Sequence, residues 1–282
     1  MIAYLNGRFL PIEEACVPVL DRGFIFGDGI YELLPVYSRR PFRLNEHLKR
    51  FDSNLASIRI GNPYSAEKWR ELIAEMIERN HLEDQSIYIQ VTRGVAKRDH
   101  AFPKNVSPTV LILSNPLVTP AQEQVQKGVP AITALDDRWL RCDIKAISLL
   151  ANVLLRQQAI DVGAAETILF RDGYLTEGAA SNVFVVRDGV MLAPPKSHLM
   201  LPGITYDVVL ELAAAQGLEH AVRGVSEHEV RSAQELWMTS STREVLAITA
   251  LDGKPVGGGT PGPVFWQMYG WYQEYKAKVM RA

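Results

Sequence analysis

Apolar and polar positions alternate along the chain with two periods, one typical of strands and one of helices. Apolar runs meet at Asn6-Gly7, Asp172-Gly173 and Asp188-Gly189, dipeptides that tolerate the backbone of a tight hairpin turn. Helical spacing predicts helices over 44–58 and 65–80. Because strands and helices do not follow a regular strand–helix–strand order, the pattern predicts an α+β fold.

The length of 282 residues favours two domains. The stretch 119–127 contains Pro120 and a run of polar residues, which is typical of an interdomain linker. We therefore expect an N-terminal domain over 1–118 and a C-terminal domain over 128–282.

Composition narrows the class of protein further. Hydrophobic residues make up 47% of the chain and charged residues 22%, which excludes a disordered protein. The net charge of −2 provides no basic field for nucleic acid. Two cysteines, Cys16 and Cys142, favour a reduced intracellular protein over a disulfide scaffold. The N-terminal stretch predicts neither a signal peptide nor a membrane span, so we expect a cytoplasmic protein.

Common catalytic motifs are missing from the sequence. There is no G-x-S-x-G elbow, no phosphate loop of the G-x-x-x-x-G-K-[ST] type and no H-E-x-x-H pair. The six histidines and two cysteines show no metal-ligand spacing, so we expect no metal site.

Lys145 is the most unusual candidate for chemistry. It lies in an apolar run, 144–162, that reads as the start of a buried helix. An apolar setting disfavours the ammonium form and favours the free amine, which can form a Schiff base. A lysine whose stem packs on apolar residues while its charge reaches water is the alternative.

Three further features suit an anionic, planar ligand. Glu177 follows a predicted strand and precedes small residues, although a solvated turn carboxylate fits as well. The segment 201–205 opens a helix whose free N–H groups can bind phosphate, or Thr205 is only its cap. The hydroxyl cluster 239–242 supplies further donors, or is a polar turn.

The order and spacing of these features resemble one known family. The chain resembles class IV (fold type IV) pyridoxal-phosphate-dependent aminotransferases over nearly its whole length, most closely the D-amino acid (D-alanine) aminotransferases. Seven segments carry the resemblance: FGDGIYE (26–32), NEHLKRF (45–51), TRG with RDH (92–94 and 98–100), DIK (143–145), EGAASNVF (177–184), LPGIT (201–205) and SSTREV (240–245).

The resemblance implies a two-domain fold, with a smaller N-terminal α/β sandwich-like domain, a larger C-terminal pseudo-barrel domain and pyridoxal 5′-phosphate in the interdomain cleft. It implies that Lys145 carries the cofactor and shuttles a proton, and that Glu177 keeps the pyridine nitrogen protonated. The remaining cofactor-binding residues that it implies are Arg50, Ser181, Asn182, Ile204, Thr205, Ser241 and Thr242.

The substrate residues separate the subgroups of this family. Tyr31 and the R-x-H triplet, with Arg98 and His100, match the residues with which D-amino acid aminotransferases bind the substrate α-carboxylate. In relatives this loop reaches over from the neighbouring subunit, so the resemblance implies a homodimer. The implied reaction transfers the amino group of a D-amino acid such as D-alanine to a 2-oxo acid such as 2-oxoglutarate.

Four residues depart from the family pattern and put the side-chain preference in doubt: Pro35, Ala179, Ala180 and Tyr206. Three other activities of the same fold therefore stay open. They are a 4-amino-4-deoxychorismate lyase, a branched-chain L-amino acid transaminase and an (R)-amine transaminase. A non-catalytic module that binds a phosphate ligand is a fourth reading.

Overall fold

The computed structural model describes Met1–Ala282, and its residues group into two units. The units are Met1–Leu117 with Ile144–Leu149 and Arg281, and Val118–Asp143 with Leu150–Met280 and Ala282. This division differs from the predicted one in two ways. The predicted linker, 119–127, falls in the second unit and contains a helix. The segment that carries Lys145 returns to the first unit.

The first unit contains one six-stranded antiparallel sheet and three α-helices. The strands are β1 (Ile2–Leu5), β2 (Arg8–Pro11), β3 (Gly29–Tyr37), β4 (Arg40–Pro41), β5 (Gln85–Thr92) and β6 (Thr109–Pro116). The helices are α1 (Arg22–Phe26), α2 (Leu44–Ser57) and α3 (Ala66–Asn80), with a 3₁₀ turn at Ile12–Glu14. The sheet order is β2-β1-β6-β5-β3-β4.

Alternation along β3 gives its two faces different environments. Ile30 and Leu34 are fully buried in the core formed with α2 and α3, whereas Tyr31 and Leu33 point the other way and are only half-buried. The strand continues through Pro35 to Tyr37, so the predicted interruption at Pro35 was wrong. The Pro35 carbonyl accepts from Phe42 N at 2.9 Å, which places it in the short β3–β4 hairpin region.

The helices of the first unit agree with the predicted spacing. Ser65 caps α3 by accepting from the Lys68 backbone N–H at 3.2 Å, as its position before the apolar pattern predicted. The side chains of Phe51 and Trp69 meet edge to face at 5.2 Å in the core below the sheet.

The second unit contains a nine-stranded mixed sheet and five α-helices. The strands are β7 (Val129–Leu135), β8 (Glu166–Arg171), β9 (Tyr174–Gly178), β10 (Asn182–Arg187), β11 (Val190–Ala193), β12 (His220–Val222), β13 (Glu235–Ser240), β14 (Glu244–Leu251) and β15 (Lys254–Pro255). The helices are α4 (Gln122–Lys127), α5 (Leu150–Asp161), α6 (Ile204–Ala215), α7 (Glu227–Arg231) and α8 (Pro263–Tyr275), followed by a π-helical turn at Lys276–Met280.

The strand order of the second unit requires a strongly curled sheet. The order is β12-β11-β10-β13-β14-β7-β8-β9, with β15 paired to β14. β9 and β10 are five positions apart, about 24 Å in a flat sheet. Only residues 179–181 join them, and that link can span roughly 14 Å. The sheet therefore bends toward a barrel, and the α+β, two-unit prediction is confirmed.

Two local predictions in this unit had opposite outcomes. The Asp172-Gly173 and Asp188-Gly189 turns both have positive φ and join consecutive strands, as predicted. The apolar run after Lys145 was predicted to be a buried helix, but α5 buries only Leu155 and Ala159. No helix of the chain is both long enough and apolar enough to span a bilayer.

Candidate active site

Lys145 lies on an extended segment that pairs with the first half of β3, not on a helix. Tyr31 N donates to the Lys145 carbonyl at 2.9 Å, and Ile147 N donates to the Gly29 carbonyl at 3.1 Å. Ile30 and Ala146 form a β-bridge between these two bonds. The backbone around Lys145 is therefore held by β3, which directs its long side chain from a rigid base.

The side chain of Lys145 lies over the half-buried face of the sheet. Its ammonium group is 4.1 Å from the centroid of the Tyr31 ring, within cation–π range. The Tyr31 ring stacks in turn on Tyr88 at 5.6 Å, and the Tyr88 hydroxyl donates to Gln90 Oε1 at 2.7 Å. The structure thus brings two predicted site residues, Lys145 and Tyr31, together.

The opposite face of β3 carries a buried charge network. Glu32 accepts from Arg50 through Nε at 2.9 Å and Nη2 at 2.7 Å, and its Oε1 lies 3.1 Å from His47 Nδ1. Burial alone would raise the pKa of Glu32, but Arg50 and His47 outweigh it and hold this pKa far below its usual range. Burial lowers the pKa of His47, so its ring stays neutral near pH 7.

Glu32 and His47 were not among the predicted site residues. A sequence signal for them existed, because Glu32 interrupts an apolar alternation, and His47 and Arg50 lie three residues apart on one helix face. Arg50 was predicted to bind a phosphate, and its observed partner is the Glu32 carboxylate. The network fixes the orientation of the guanidinium, while its phosphate contact stays a prediction.

The Arg98 and His100 side chains are exposed on a loop of the first unit. Arg22 Nη1 donates to the Asp99 carbonyl at 2.5 Å, and the Phe26 ring lies 5.3 Å from the Arg98 guanidinium and 5.4 Å from the His100 ring. No hydrogen bond, ion pair or ring contact joins Arg98 or His100 to Tyr31 within the chain. The predicted carboxylate-binding set is therefore not assembled by one copy alone.

The base of this loop is anchored by a second buried charge cluster. Asp28 binds Arg22 Nε at 2.7 Å and Arg93 Nε at 2.8 Å. Burial opposes ionisation of Asp28, but the two arginines lower its pKa below the usual value. Because Arg22 also binds the Asp99 carbonyl, the cluster holds the loop in place.

Glu177 lies near the end of β9 in the second unit, buried beside an arginine. Its Oε1 accepts from Arg138 Nη1 at 2.6 Å, and its Oε2 accepts from the Leu201 N–H at 3.0 Å and from Asn182 Nδ2 at 3.4 Å. Burial raises the pKa of Glu177 to about 7, against the opposing charge of Arg138. The carboxylate is therefore short of positive charge.

Arg138 was missed by sequence reasoning because its partner is 39 positions away. It forms more bonds with Asp136 than with Glu177, with Nε–Oδ1 at 2.8 Å and Nη2–Oδ2 at 2.9 Å. Thr176 also donates its hydroxyl to Asp136 at 2.8 Å. One arginine thus serves two carboxylates.

The start of α6 is open to an anion. Gly203 is its N-cap and no side chain accepts from the first N–H groups, so Thr205 is not the cap. A Cβ on Gly203 would clash with Asn182 Oδ1, which shows how closely the chain packs there. The Ile204 and Thr205 N–H groups of this 12-residue helix are consequently suited to a phosphate.

Ser181, Ser241 and Thr242 lie in turns of the same unit. Ser181 donates its hydroxyl to Glu166 Oε2 at 2.7 Å, so its predicted cofactor contact has a competitor. Ser240 Oγ accepts from the Arg243 N–H at 3.1 Å and closes the turn that holds Ser241 and Thr242, whose side chains are half-buried.

These residues fit pyridoxal phosphate by the chemistry of their groups. The uncapped α6 start suits the phosphate, and the buried carboxylate of Glu177 suits a protonated ring nitrogen. In the first unit, Lys145 supplies an amine on a rigid backbone. Each group suits a different part of the same cofactor.

Comparison with known proteins gives a consistent family. Residues 29–251 match the family described as amino-transferase class IV. The chain is 41% identical to the D-alanine aminotransferase of Bacillus licheniformis over 264 residues, covering 94% of this chain and 93% of that protein. It is 37% identical to the D-alanine aminotransferase of Staphylococcus aureus (strain MW2), covering 96% of each.

Solved structures of similar fold are branched-chain amino acid aminotransferases. The enzyme of Escherichia coli superposes with a TM-score of 0.90 at 26% identity, covering 99% of this chain and 94% of that one. The enzyme from the source abbreviated T.th., solved with pyridoxamine 5′-phosphate, also superposes with a TM-score of 0.90. It is 30% identical, and the match covers 100% of this chain and 95% of that one.

Proposed function

The chain belongs to the class IV aminotransferase family, which uses pyridoxal phosphate, and from this premise we propose that it transfers the amino group of a D-amino acid such as D-alanine to a 2-oxo acid such as 2-oxoglutarate. The observation that carries the choice of D-amino acids is the 41% identity to a D-alanine aminotransferase over 94% of the chain. The Tyr31 ring beside the Lys145 amine supports it.

Lys145 is the catalytic residue of the proposal. When bound, pyridoxal phosphate supplies an electron sink that stabilises charge at the substrate Cα and carries the amino group between the two substrates. The Lys145 amine holds the cofactor covalently and then moves the proton at the substrate Cα. Its backbone, fixed against β3, keeps Nζ near one position during that transfer.

The second unit supplies the other cofactor contacts in this proposal. Glu177 holds the proton on the pyridine nitrogen, and Asn182 and the Leu201 N–H orient the Glu177 carboxylate. The phosphate-binding groups are the start of α6 with Ile204 and Thr205, the hydroxyl turn with Ser241 and Thr242, and Arg50 oriented by Glu32. Ser181 positions Glu166 rather than the phosphate.

The substrate α-carboxylate is bound by Tyr31 of one copy with Arg98 and His100 of a second copy. Within one chain those side chains do not meet, and Arg22 and Phe26 hold the loop in an exposed position. We therefore propose a homodimer. Cys16 and Cys142 are both free thiols, which supports the reducing cytoplasm as its location.

A steady-state assay with a panel of D- and L-amino acids and 2-oxoglutarate tests this function. We expect a visible cofactor absorption band, turnover of D-alanine, and little turnover of L-valine or L-leucine. Absence of the band would favour a non-catalytic phosphate-binding module. Pyruvate release from 4-amino-4-deoxychorismate without an amino acceptor would instead identify the lyase.

A branched-chain L-amino acid transaminase is the second candidate. It is favoured by the solved structures, which match nearly the whole chain at a TM-score of 0.90. Preference for L-leucine over D-alanine in the same panel would select it. Preference for a primary (R)-amine that lacks a carboxylate would select the amine transaminase.

A further inference from the structure

A cavity of about 460 Å³ lies in the second unit, beside the N-terminal ends of β7, β8 and β14. Its volume falls in the range of about 300–1,000 Å³ that is typical of small-molecule sites. Its wall includes Gln124, Arg156, Ala165, Thr242 and Arg243. The cavity thus combines two arginines with neutral hydrogen-bonding groups.

The charge of this cavity is one-sided. None of its lining residues is acidic, and neither Arg156 nor Arg243 forms an ion pair within the chain. Arg156 Nη1 donates to the Ala165 carbonyl, and Arg243 Nη1 contacts the Met238 sulfur at 3.7 Å. Both partners are neutral, so the structure leaves two half-buried positive charges without a counter-charge at the cavity wall.

The electrostatic surroundings agree with that geometry. Burial lowers the pKa of Arg243, Glu166 partly offsets this, and the positive charge of Arg156 lowers the pKa further. Glu166 is itself occupied, because it accepts from Ser181 Oγ at 2.7 Å and from the Thr167 N–H at 2.9 Å. An anion in the cavity would relieve the repulsion between the two arginines.

We propose that this cavity binds a carboxylate of a small organic acid, with Arg243 and Arg156 as the cationic ligands. Arginine is suited to this task because its planar fork meets both carboxylate oxygens at once. Thr242 and Gln124 add neutral donors on the wall of the same cavity.

The carboxylate has two sources of the same chemistry. It is either the distal carboxylate of a dicarboxylic substrate such as 2-oxoglutarate or D-glutamate, or a separate organic acid that binds independently of the reaction. The first source rests on the proposed transaminase function, whereas the second does not.

Calorimetric titration of the holoenzyme with glutarate decides whether the site exists. We expect saturable binding that Arg243→Gln and Arg156→Gln each weaken by about 10-fold or more, as for loss of one charge-assisted bond. Arg243→Lys should restore part of the affinity. Arg223→Gln, which removes an exposed arginine paired with Glu229, is the matched control and should leave glutarate binding unchanged.

Acceptor kinetics on the same proteins decide the source. If the carboxylate is that of the substrate, Arg243→Gln raises the KM for 2-oxoglutarate about 10-fold, and the KM for 2-oxobutyrate, a monocarboxylate, changes less than about twofold. If weakened glutarate binding leaves the ratio of the two KM values unchanged, the site takes a separate organic acid. D-alanine serves as the amino donor in both assays.

Equal glutarate affinity in the parent and in all of these variants would overturn the proposal, as would the absence of saturable binding. Thermal unfolding of each variant separates a lost site from a lost fold, and Arg243→Lys keeps the test decisive if a glutamine variant unfolds. A parent enzyme without D-alanine turnover would refute the proposed function instead, while the titration would still test the cavity.

Discussion

Glu32 in the first unit and Glu177 in the second are both buried carboxylates that bind an arginine, yet their surroundings shift their pKa values in opposite directions. Glu32 receives two bonds from Arg50 and one contact from His47. Glu177 receives one bond from Arg138, whose other nitrogens serve Asp136. The number of cations per carboxylate, rather than burial, separates the two sites.

That difference assigns a different task to each network. Glu32 is ionised at any pH near neutrality, so it acts as a fixed anchor that orients Arg50. Glu177 is poised to take a further positive partner, because burial raises its pKa to about 7 and Arg138 is shared. A protonated ring nitrogen of the cofactor is such a partner, and its binding favours the ionised form of Glu177.

The largest effect should come from Lys145→Ala, which leaves both carboxylate networks intact. We expect transamination to fall by about 10,000-fold or more, because covalent attachment and proton transfer are lost together. If the two networks only prepare the site, nothing in them can replace the amine. Borohydride reduction and peptide mapping should place the cofactor adduct on Lys145 in the parent.

Lys196→Ala is the control for that experiment, since Lys196 is exposed and pairs with Asp207. It should keep both the adduct and the activity. An adduct on Lys196 or Lys127 would refute the assignment of the catalytic lysine.

The next largest effect should come from Arg138→Met, which removes the cation that Glu177 and Asp136 share. Breaking a buried ion pair on one side costs about 3–5 kcal/mol of unfolding free energy, because the partner charge is left uncompensated. Arg141→Met removes an exposed arginine paired with Asp143 and should cost under about 1 kcal/mol. Urea denaturation measures both, and equal losses would contradict the shared-arginine interpretation.

Glu177→Gln sharpens the comparison at the poised site. Cofactor should stay bound because the phosphate contacts remain, while the rate should fall on the order of 100-fold, as when a proton-holding group is lost. Turnover and the visible spectrum of one preparation give both readings. Near-full activity of Glu177→Gln would show that this carboxylate does not hold the ring-nitrogen proton.

The smallest of these effects should come from Arg98→Ala, since Arg98 belongs to neither network and is exposed. Loss of one charge-assisted bond to the α-carboxylate should lower kcat/KM for D-alanine by about 10- to 200-fold. Turnover of a primary amine without a carboxylate should hardly change. Equal losses for both substrates would show that Arg98 supports the fold or the cofactor instead.

Local signals predicted much of the fold correctly. Turn dipeptides such as Asp172-Gly173 and the Ser65 cap act through their own backbone, so they could be read from a few neighbouring residues. Motif spacing predicted Lys145 and Tyr31, which the structure brings together. Long-range partners could not be predicted that way, because the Arg138–Glu177 pair forms only when β9 and the segment before Lys145 meet in the folded unit.

The misread helix has a physical explanation too. The apolar residues after Lys145 suggested burial, but α5 exposes Leu150, Val153 and Leu154 and buries only Leu155 and Ala159. Hydrophobicity alone does not state which face a helix buries when apolar residues surround its axis. Glu32 shows the converse, since a single charge in an apolar strand marked a buried network that alternation could have located.

The contrast between the two carboxylates is tested most directly by carbon-13 NMR of labelled glutamate carboxyls in the cofactor-free protein as pH is varied. We predict one carboxyl that titrates at a pH of about 7 and disappears in Glu177→Gln. A second carboxyl, absent in Glu32→Gln, should stay ionised throughout the range in which the protein is folded. Adding pyridoxal phosphate should keep the first carboxyl ionised to lower pH. Titration of Glu177 at or below the ordinary glutamate pKa of 4.5, or of Glu32 near neutrality, would contradict the account.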